Sequence, residues 1–121
     1  MKKILKCHCN KVQIELELEE TITSIKCNCS ICLRRNAVMT VIDEKNLKLI
    51  KGKDWLKSYK FHTKVAEHFF CSKCGIYTHH KQRRDPSKYG INLSCIEILD
   101  DIKISDEKLL DGKNHPLDKN D

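Results

Sequence analysis

Aromatic side chains are scarce in this chain, with one Trp, three Tyr and three Phe among 121 residues. Long apolar runs are absent as well. No segment approaches the roughly 20 apolar residues that cross a bilayer, which argues against a membrane-spanning helix. The start, Met1-Lys2-Lys3-Ile4-Leu5-Lys6, is basic but lacks the apolar stretch of a secretory signal, so a cytoplasmic protein is expected. There is no internal repeat of useful length and no low-complexity segment. The length suits a single domain spanning residues 1–121 with one core. A core so poor in aromatics gains from cross-linking by metal or disulfide.

What the chain has in excess is cysteine, with eight residues, seven of them in three short clusters. A cytoplasmic chain keeps its thiols reduced, so clustered cysteines there read as metal ligands rather than as a disulfide framework. The formal charge of +6 counts every thiol as neutral. Seven thiolates around two Zn²⁺ ions lower it to roughly +3, which weakens the case for a nucleic-acid-seeking surface and leaves anionic small molecules as partners.

The rest of the pattern is mostly strand. Ile4 to Lys6 leads into the first cluster, and Val12 to Leu18 alternates, with Val12, Ile14, Leu16 and Leu18 on one face. Asn10-Lys11 suits the turn between these two strands. Ser30 to Asn36 reads as a short helical turn. Strands are expected again over 37–42, 47–50, 56–61, 65–70, 76–80 and 89–93. From Asp111 the tail is polar, and Gly112 and Pro116 argue against a regular element there. The expected fold class is mainly β: a single compact domain of stacked antiparallel sheets with a zinc-knuckle site.

The clusters are Cys7-His8-Cys9, Cys27-Asn28-Cys29-Ser30-Ile31-Cys32 and Cys71-Ser72-Lys73-Cys74-Gly75. Two cysteines separated by one residue on an extended chain project to the same side and can share one ion. A C-x-x-C does the same from a tight turn, with Gly75 placed to supply a positive φ. Pairing the two gives a closed four-thiolate site from Cys7, Cys9, Cys71 and Cys74, which is structural by its completeness. The middle cluster offers three thiolates, Cys27, Cys29 and Cys32, and a fourth position open to water or substrate. Cys95 or a histidine closing that site is the alternative. An iron–sulfur cluster on these residues plus Cys95, and a redox dithiol at Cys71 and Cys74, are further partitions.

Other polar residues carry less signal. His8 sits within the first cluster but points away from its neighbours on an extended chain. His62, His68, His79 and His80 read as surface or satisfied β residues. The basic loop from Lys81 to Lys88 reads as solvated surface. Arg34 and Arg35, just past the middle cluster, are the better candidates for binding a carboxylate-bearing ligand. Cys95 reads as a small buried hydrophobe, a fourth ligand or a free thiol.

The order Cys-x-Cys, Cys-x-Cys-Ser-x-Cys and Phe-Cys-x-x-Cys-Gly resembles the glutathione-dependent formaldehyde-activating enzyme family. Asp111-Gly112-Lys113-Asn114-His115-Pro116 resembles a further segment of it. The resemblance implies a fold of stacked sheets shared with a small-GTPase-binding chaperone family and with centromere protein V. It implies a structural zinc on Cys7, Cys9, Cys71 and Cys74, and a second, more labile zinc on Cys27, Cys29 and Cys32. It also implies a carbon–sulfur lyase joining formaldehyde to glutathione, giving S-hydroxymethylglutathione. Asn10 and Asn36 stand where glycine is common in that family, and asparagine best tolerates the left-handed backbone such turns use. Asn28 stands where histidine is frequent.

The chemistry expected on this basis is zinc-assisted addition of a small thiol, such as glutathione, to an aldehyde at the middle cluster. Rival readings are a non-enzymatic zinc module that binds protein or nucleic acid, motivated by the basic loop, and metal storage or sensing at the labile site.

Overall fold

The structure is a computed structural model and describes residues 1–97 and 99–114. Ten strands and one short helix run in the order β1 (Lys2–Lys6), β2 (Gln13–Glu17), β3 (Thr21–Cys27), α1 (Ser30–Arg35), β4 (Met39–Asp43), β5 (Leu47–Lys51), β6 (Leu56–Tyr59), β7 (Glu67–Cys71), β8 (Tyr77–Lys81), β9 (Lys88–Asn92) and β10 (Lys103–Leu110). They make two sheets, one of order β1-β2-β5 and one of order β10-β3-β4-β9-β8-β7-β6. The fold is mainly β, as the alternating pattern dictates.

The alternation in β2 sets the packing. Val12, Ile14 and Leu16 are fully buried and Leu18 nearly so, while Glu17 on the opposite parity faces water. These side chains lie against Ile91, Leu93, Ile96 and Ile102 in one hydrophobic core, so the small sheet lies on one face of the large one. Each such aliphatic side chain contributes roughly 1.5–3 kcal/mol by leaving water. An isolated bridge between Leu5 and Ile96 joins β1 to the segment after β9.

Two strands were not foreseen, and both border the candidate site. In β3 the inward positions are Ile22 and Ser24, so the buried face is only half apolar and the alternation is blurred. In β10 every side chain is exposed, leaving no hydrophobic signal at all. Its backbone runs parallel to β3 from Lys103 opposite Thr21 to Leu110 opposite Cys27. This is the one parallel ladder among the described residues; every other strand pair is antiparallel. The segment after Asp111 also holds a single 3₁₀ turn, Gly112–Asn114, where no regular element was expected. His115 and Pro116 lie outside the described residues.

Candidate metal centre and cavity

Strand ends carry the first sulfur group. Cys7 and Cys9 follow β1, where Asn10 turns the chain at φ 65° and donates its amide to Cys7 O. Cys71 ends β7, and Gly75, at φ 79°, closes the turn by donating to Cys71 O. The four sulfurs of Cys7, Cys9, Cys71 and Cys74 lie within 4.8 Å of one another. Cys9 Sγ is 3.7 Å from both Cys7 Sγ and Cys71 Sγ. A disulfide would place two sulfurs about 2.0 Å apart. Four sulfurs at about 2.3 Å from a tetrahedral ion stand about 3.8 Å from one another, so the donor set has the size of a metal cage. The Val12 amide also points at Cys7 Sγ, at 3.3 Å, as suits an acceptor thiolate. The group ties the small sheet to the β7–β8 hairpin of the large one.

The second group spans the end of β3 and the start of α1. Cys27 is the last residue of β3, Cys29 caps the helix and accepts the Cys32 amide, and Cys32 is buried in its first turn. Asn36 ends the helix at φ 50° and returns its amide to Cys32 O. Cys27, Cys29 and Cys32 again place their sulfurs within 4.8 Å of one another, and no fourth His, Cys, Asp or Glu ligand joins them among the described residues. Cys95 is elsewhere, with its thiol 3.6 Å from the Tyr77 carbonyl oxygen. The Cys29 thiol is pushed down to about 2 because its sulfur accepts hydrogen bonds from Cys27 and Cys32. Hydrogen bonding with Cys27 and with Cys29, then burial, push Cys32 up, against the pull of Arg35.

Arg34 and Arg35 part company at the end of the helix. Arg34 is exposed and folds back to donate to Ser30 O at 2.9 Å. Arg35 turns inward. Its guanidinium lies 3.6 Å above the centre of the Tyr77 ring, and Nη2 donates to Cys32 Sγ at 3.5 Å and to His68 Nδ1 at 3.1 Å. Tyr77 is itself held, its hydroxyl 2.6 Å from His80 Nδ1, and burial raises its pKa. A cation is therefore built in behind the third sulfur.

The three sulfurs open on a cavity of about 690 Å³. Its wall includes His68, His80, Arg83, Arg84 and Lys113, but neither Arg34 nor Arg35. Arg83 and Arg84 of the basic loop thus border the cavity, while Arg84, Pro86 and Ser87 remain exposed to solvent. His68 and His79 are buried on their strands, and burial lowers both pKa values to about 4, with Arg35 contributing at His68. Burial, then Arg35, takes His80 to about 3. Their sequence signal was position: ring side chains next to Phe69 and Tyr77 on paired strands, forming the stack Phe61, His68, His80.

The turn after β10 completes the wall. Asn28 donates to Asp111 Oδ1 at 3.1 Å and accepts the Lys113 amide at 2.9 Å. Gly112 lies so close that a Cβ there would come within 2.5 Å of Cys27 Sγ and 2.6 Å of Cys29 Cβ. Only a hydrogen fits.

Stacked β-sheets joined by a group of four sulfurs, with a second group of three bordering a cavity, give a mainly β protein with two cysteine groups that could hold metal ions. Residues 3–109 match the family described as glutathione-dependent formaldehyde-activating enzyme, and the chain belongs to that family. It is also similar to a Rhodobacter sphaeroides protein of known crystal structure, at 40% sequence identity and a TM-score of 0.71, over 80% of this chain and 88% of that one. No helix among the described residues is long and apolar enough to cross a membrane.

Proposed function

We propose that the protein is a zinc-dependent carbon–sulfur lyase of the cytoplasm that joins a small thiol to an aldehyde, as in the formation of S-hydroxymethylglutathione from glutathione and formaldehyde. The observation that carries this reading is the inequality of the two sulfur groups. Four sulfurs close one cage completely, whereas three at the floor of a 690 Å³ cavity leave a fourth position to an outside ligand. Membership of a family named for glutathione and formaldehyde supports the choice of substrates.

Thiolate sulfur suits Zn²⁺, and the 3.7 Å sulfur spacing fits it. Cys7, Cys9, Cys71 and Cys74 would hold a structural ion, and Cys27, Cys29 and Cys32 a more labile one. Bound there, zinc supplies the Lewis acidity that keeps a thiol sulfur deprotonated at neutral pH. The protein does the rest. Arg35 offsets the negative charge that three thiolates and an incoming fourth would accumulate. Arg83, Arg84 and Lys113 stand on the wall where the carboxylates of a peptide thiol would lie, taking the part expected of Arg34 and Arg35. The cavity volume is within the range that accommodates a molecule of that size.

The test is metal stoichiometry with and without Cys27→Ser, read beside turnover of glutathione with formaldehyde. One remaining zinc and lost turnover support the reading. Two zincs and unchanged turnover overturn it.

A further inference from the structure

The cavity beside the three-cysteine group is lined by apolar side chains that the core does not use. Among the described residues, Ile25, Ile31, Leu33, Val41, Phe61 and Leu110 belong neither to the buried cluster nor to the half-buried residues packed on it. All of them line the cavity. Each is at least partly open to solvent, Leu33 at 64% and Leu110 at 42%. Single apolar residues on a surface need no explanation. These come from β3, α1, β4, the loop after β6, and β10, and they meet in one concavity. Such convergence marks a binding surface.

Their placement ties them to the sulfurs. Ile25 stands two residues before Cys27 on β3, so both side chains project from one face. Leu110 of β10 is the ladder partner of Cys27. Ile31 and Leu33 flank Cys32 on α1. Val41 lies two residues past Met39, the partner of Ile25, and so continues the same face. Phe61 stacks on His68 at 5.6 Å. The apolar wall begins at the sulfurs themselves.

Neither formaldehyde nor glutathione matches this wall. Formaldehyde has no carbon beyond its carbonyl. Glutathione is a polar tripeptide whose carboxylates suit Arg83, Arg84 and Lys113. Ligand sites cover apolar ligand surface with apolar side chains and use a few polar groups to fix orientation. An apolar wall beside the reacting sulfur calls for an apolar group on the carbon which that sulfur attacks.

We propose that the carbonyl substrate is an aldehyde carrying an alkyl chain of several carbons, seated on this wall, and that formaldehyde is the poorer partner. The proposal rests on the lyase reading. The thiol sulfur bonds the carbonyl carbon, the C=O π pair moves to oxygen, and the thiol proton reaches that oxygen through water. Nothing is oxidised or reduced. The product is a hemithioacetal whose chain stays on the wall while its tripeptide part meets the cations.

Binding and turnover by the full zinc-loaded chain test this. Calorimetry compares S-hexylglutathione with S-methylglutathione, unreactive thioethers that differ only in chain length. The hexyl compound should bind at least about 30-fold tighter, since each buried methylene is worth up to about fourfold. Leu33→Asn, at an exposed helix position, should cut that preference at least about threefold and leave S-methylglutathione binding within about twofold. In turnover with glutathione, kcat/KM for hexanal should exceed that for formaldehyde at least about tenfold. Equal binding of the two thioethers, an unchanged preference in Leu33→Asn, or a kcat/KM for hexanal no higher than that for formaldehyde overturns the proposal. So does a parent that sediments as a dimer and a Leu33→Asn variant that sediments as a monomer, since the wall would then be an interface between copies. A hexyl preference that Leu33→Asn weakens, with neither aldehyde turned over, sinks the lyase reading and keeps the alkyl-chain subsite.

Discussion

The side chain of Asn28 accepts the backbone amide of Lys113 at 2.9 Å, across 85 residues of sequence. Its own amide nitrogen reaches Asp111 Oδ1, so one residue between Cys27 and Cys29 grips the turn after the last strand at both ends. Asn28→Ala should therefore free that turn while leaving the fold intact. We expect the Lys113 amide to lose hydrogen-exchange protection and the global stability to fall by only about 0.5–1.5 kcal/mol, since the bonds are exposed.

Gly112→Ala attacks the same contact sterically. A methyl group 2.5 Å from Cys27 Sγ must push either the turn or the ligand aside. Chelator competition should show zinc at the three-cysteine group weakened by at least about tenfold, consistent with the cost of disturbed metal surroundings. The four-cysteine ion should be unaffected.

The two sulfur groups should respond oppositely to loss of a single ligand. Cys71 is fully buried at the junction of the sheets, so Cys71→Ser should cost about 2–5 kcal/mol and lower the melting temperature sharply. Cys27→Ser should leave the melting curve within a few degrees of the parent but remove the labile ion. Thermal unfolding followed by circular dichroism distinguishes the two.

Arg35→Gln removes the cation behind Cys32 without emptying the space. Zinc with three thiolates carries one net negative charge, and a thiolate added to it doubles that. Glutathione binding to the cobalt-substituted protein, read from its sulfur-to-metal charge-transfer band, should weaken at least about tenfold. Arg35→Lys should rescue little. An ammonium cannot lie flat on Tyr77 while bonding both Cys32 and His68.

Acid should destabilise the fold through its buried histidines. His79 titrates at 6.5 when unfolded and at about 4 when folded, because burial disfavours the charged ring. Between those values the unfolded chain binds the extra proton, so stability falls as pH drops from about 6.5 and the loss is complete near pH 4. The shift corresponds to about 3 kcal/mol. His79→Phe retains the flat stack on Phe69 and should lose about that much less over the same interval. Urea midpoints for parent and variant at matched pH provide the check.

How far the sequence disclosed all this depended on which interactions hold each part. Strand β2 was legible because its burial is carried by side chains at every second position. The left-handed turns at Asn10 and Asn36 were legible because few residues tolerate that backbone. Strand β10 was not, since backbone hydrogen bonds to β3 hold it and its side chains all face water. The cysteine groups could be read from spacing alone, whereas the inward turn of Arg35 depends on Tyr77 and His68, which come together only once β7 and β8 pair.

The parallel ladder between β10 and β3 sets a sequence of events as well as a shape. All eight cysteines precede Lys103, and the four-sulfur cage is complete in the chain once Cys74 has been made. As the chain leaves the ribosome, the cage can capture its ion and dock the small sheet before the cavity has its last wall. The three-cysteine group is meanwhile open on the side later covered by Gly112. An ion in the four-cysteine cage would thus be held first, and one at the three-cysteine group would be enclosed only after β10 and Gly112 have been made.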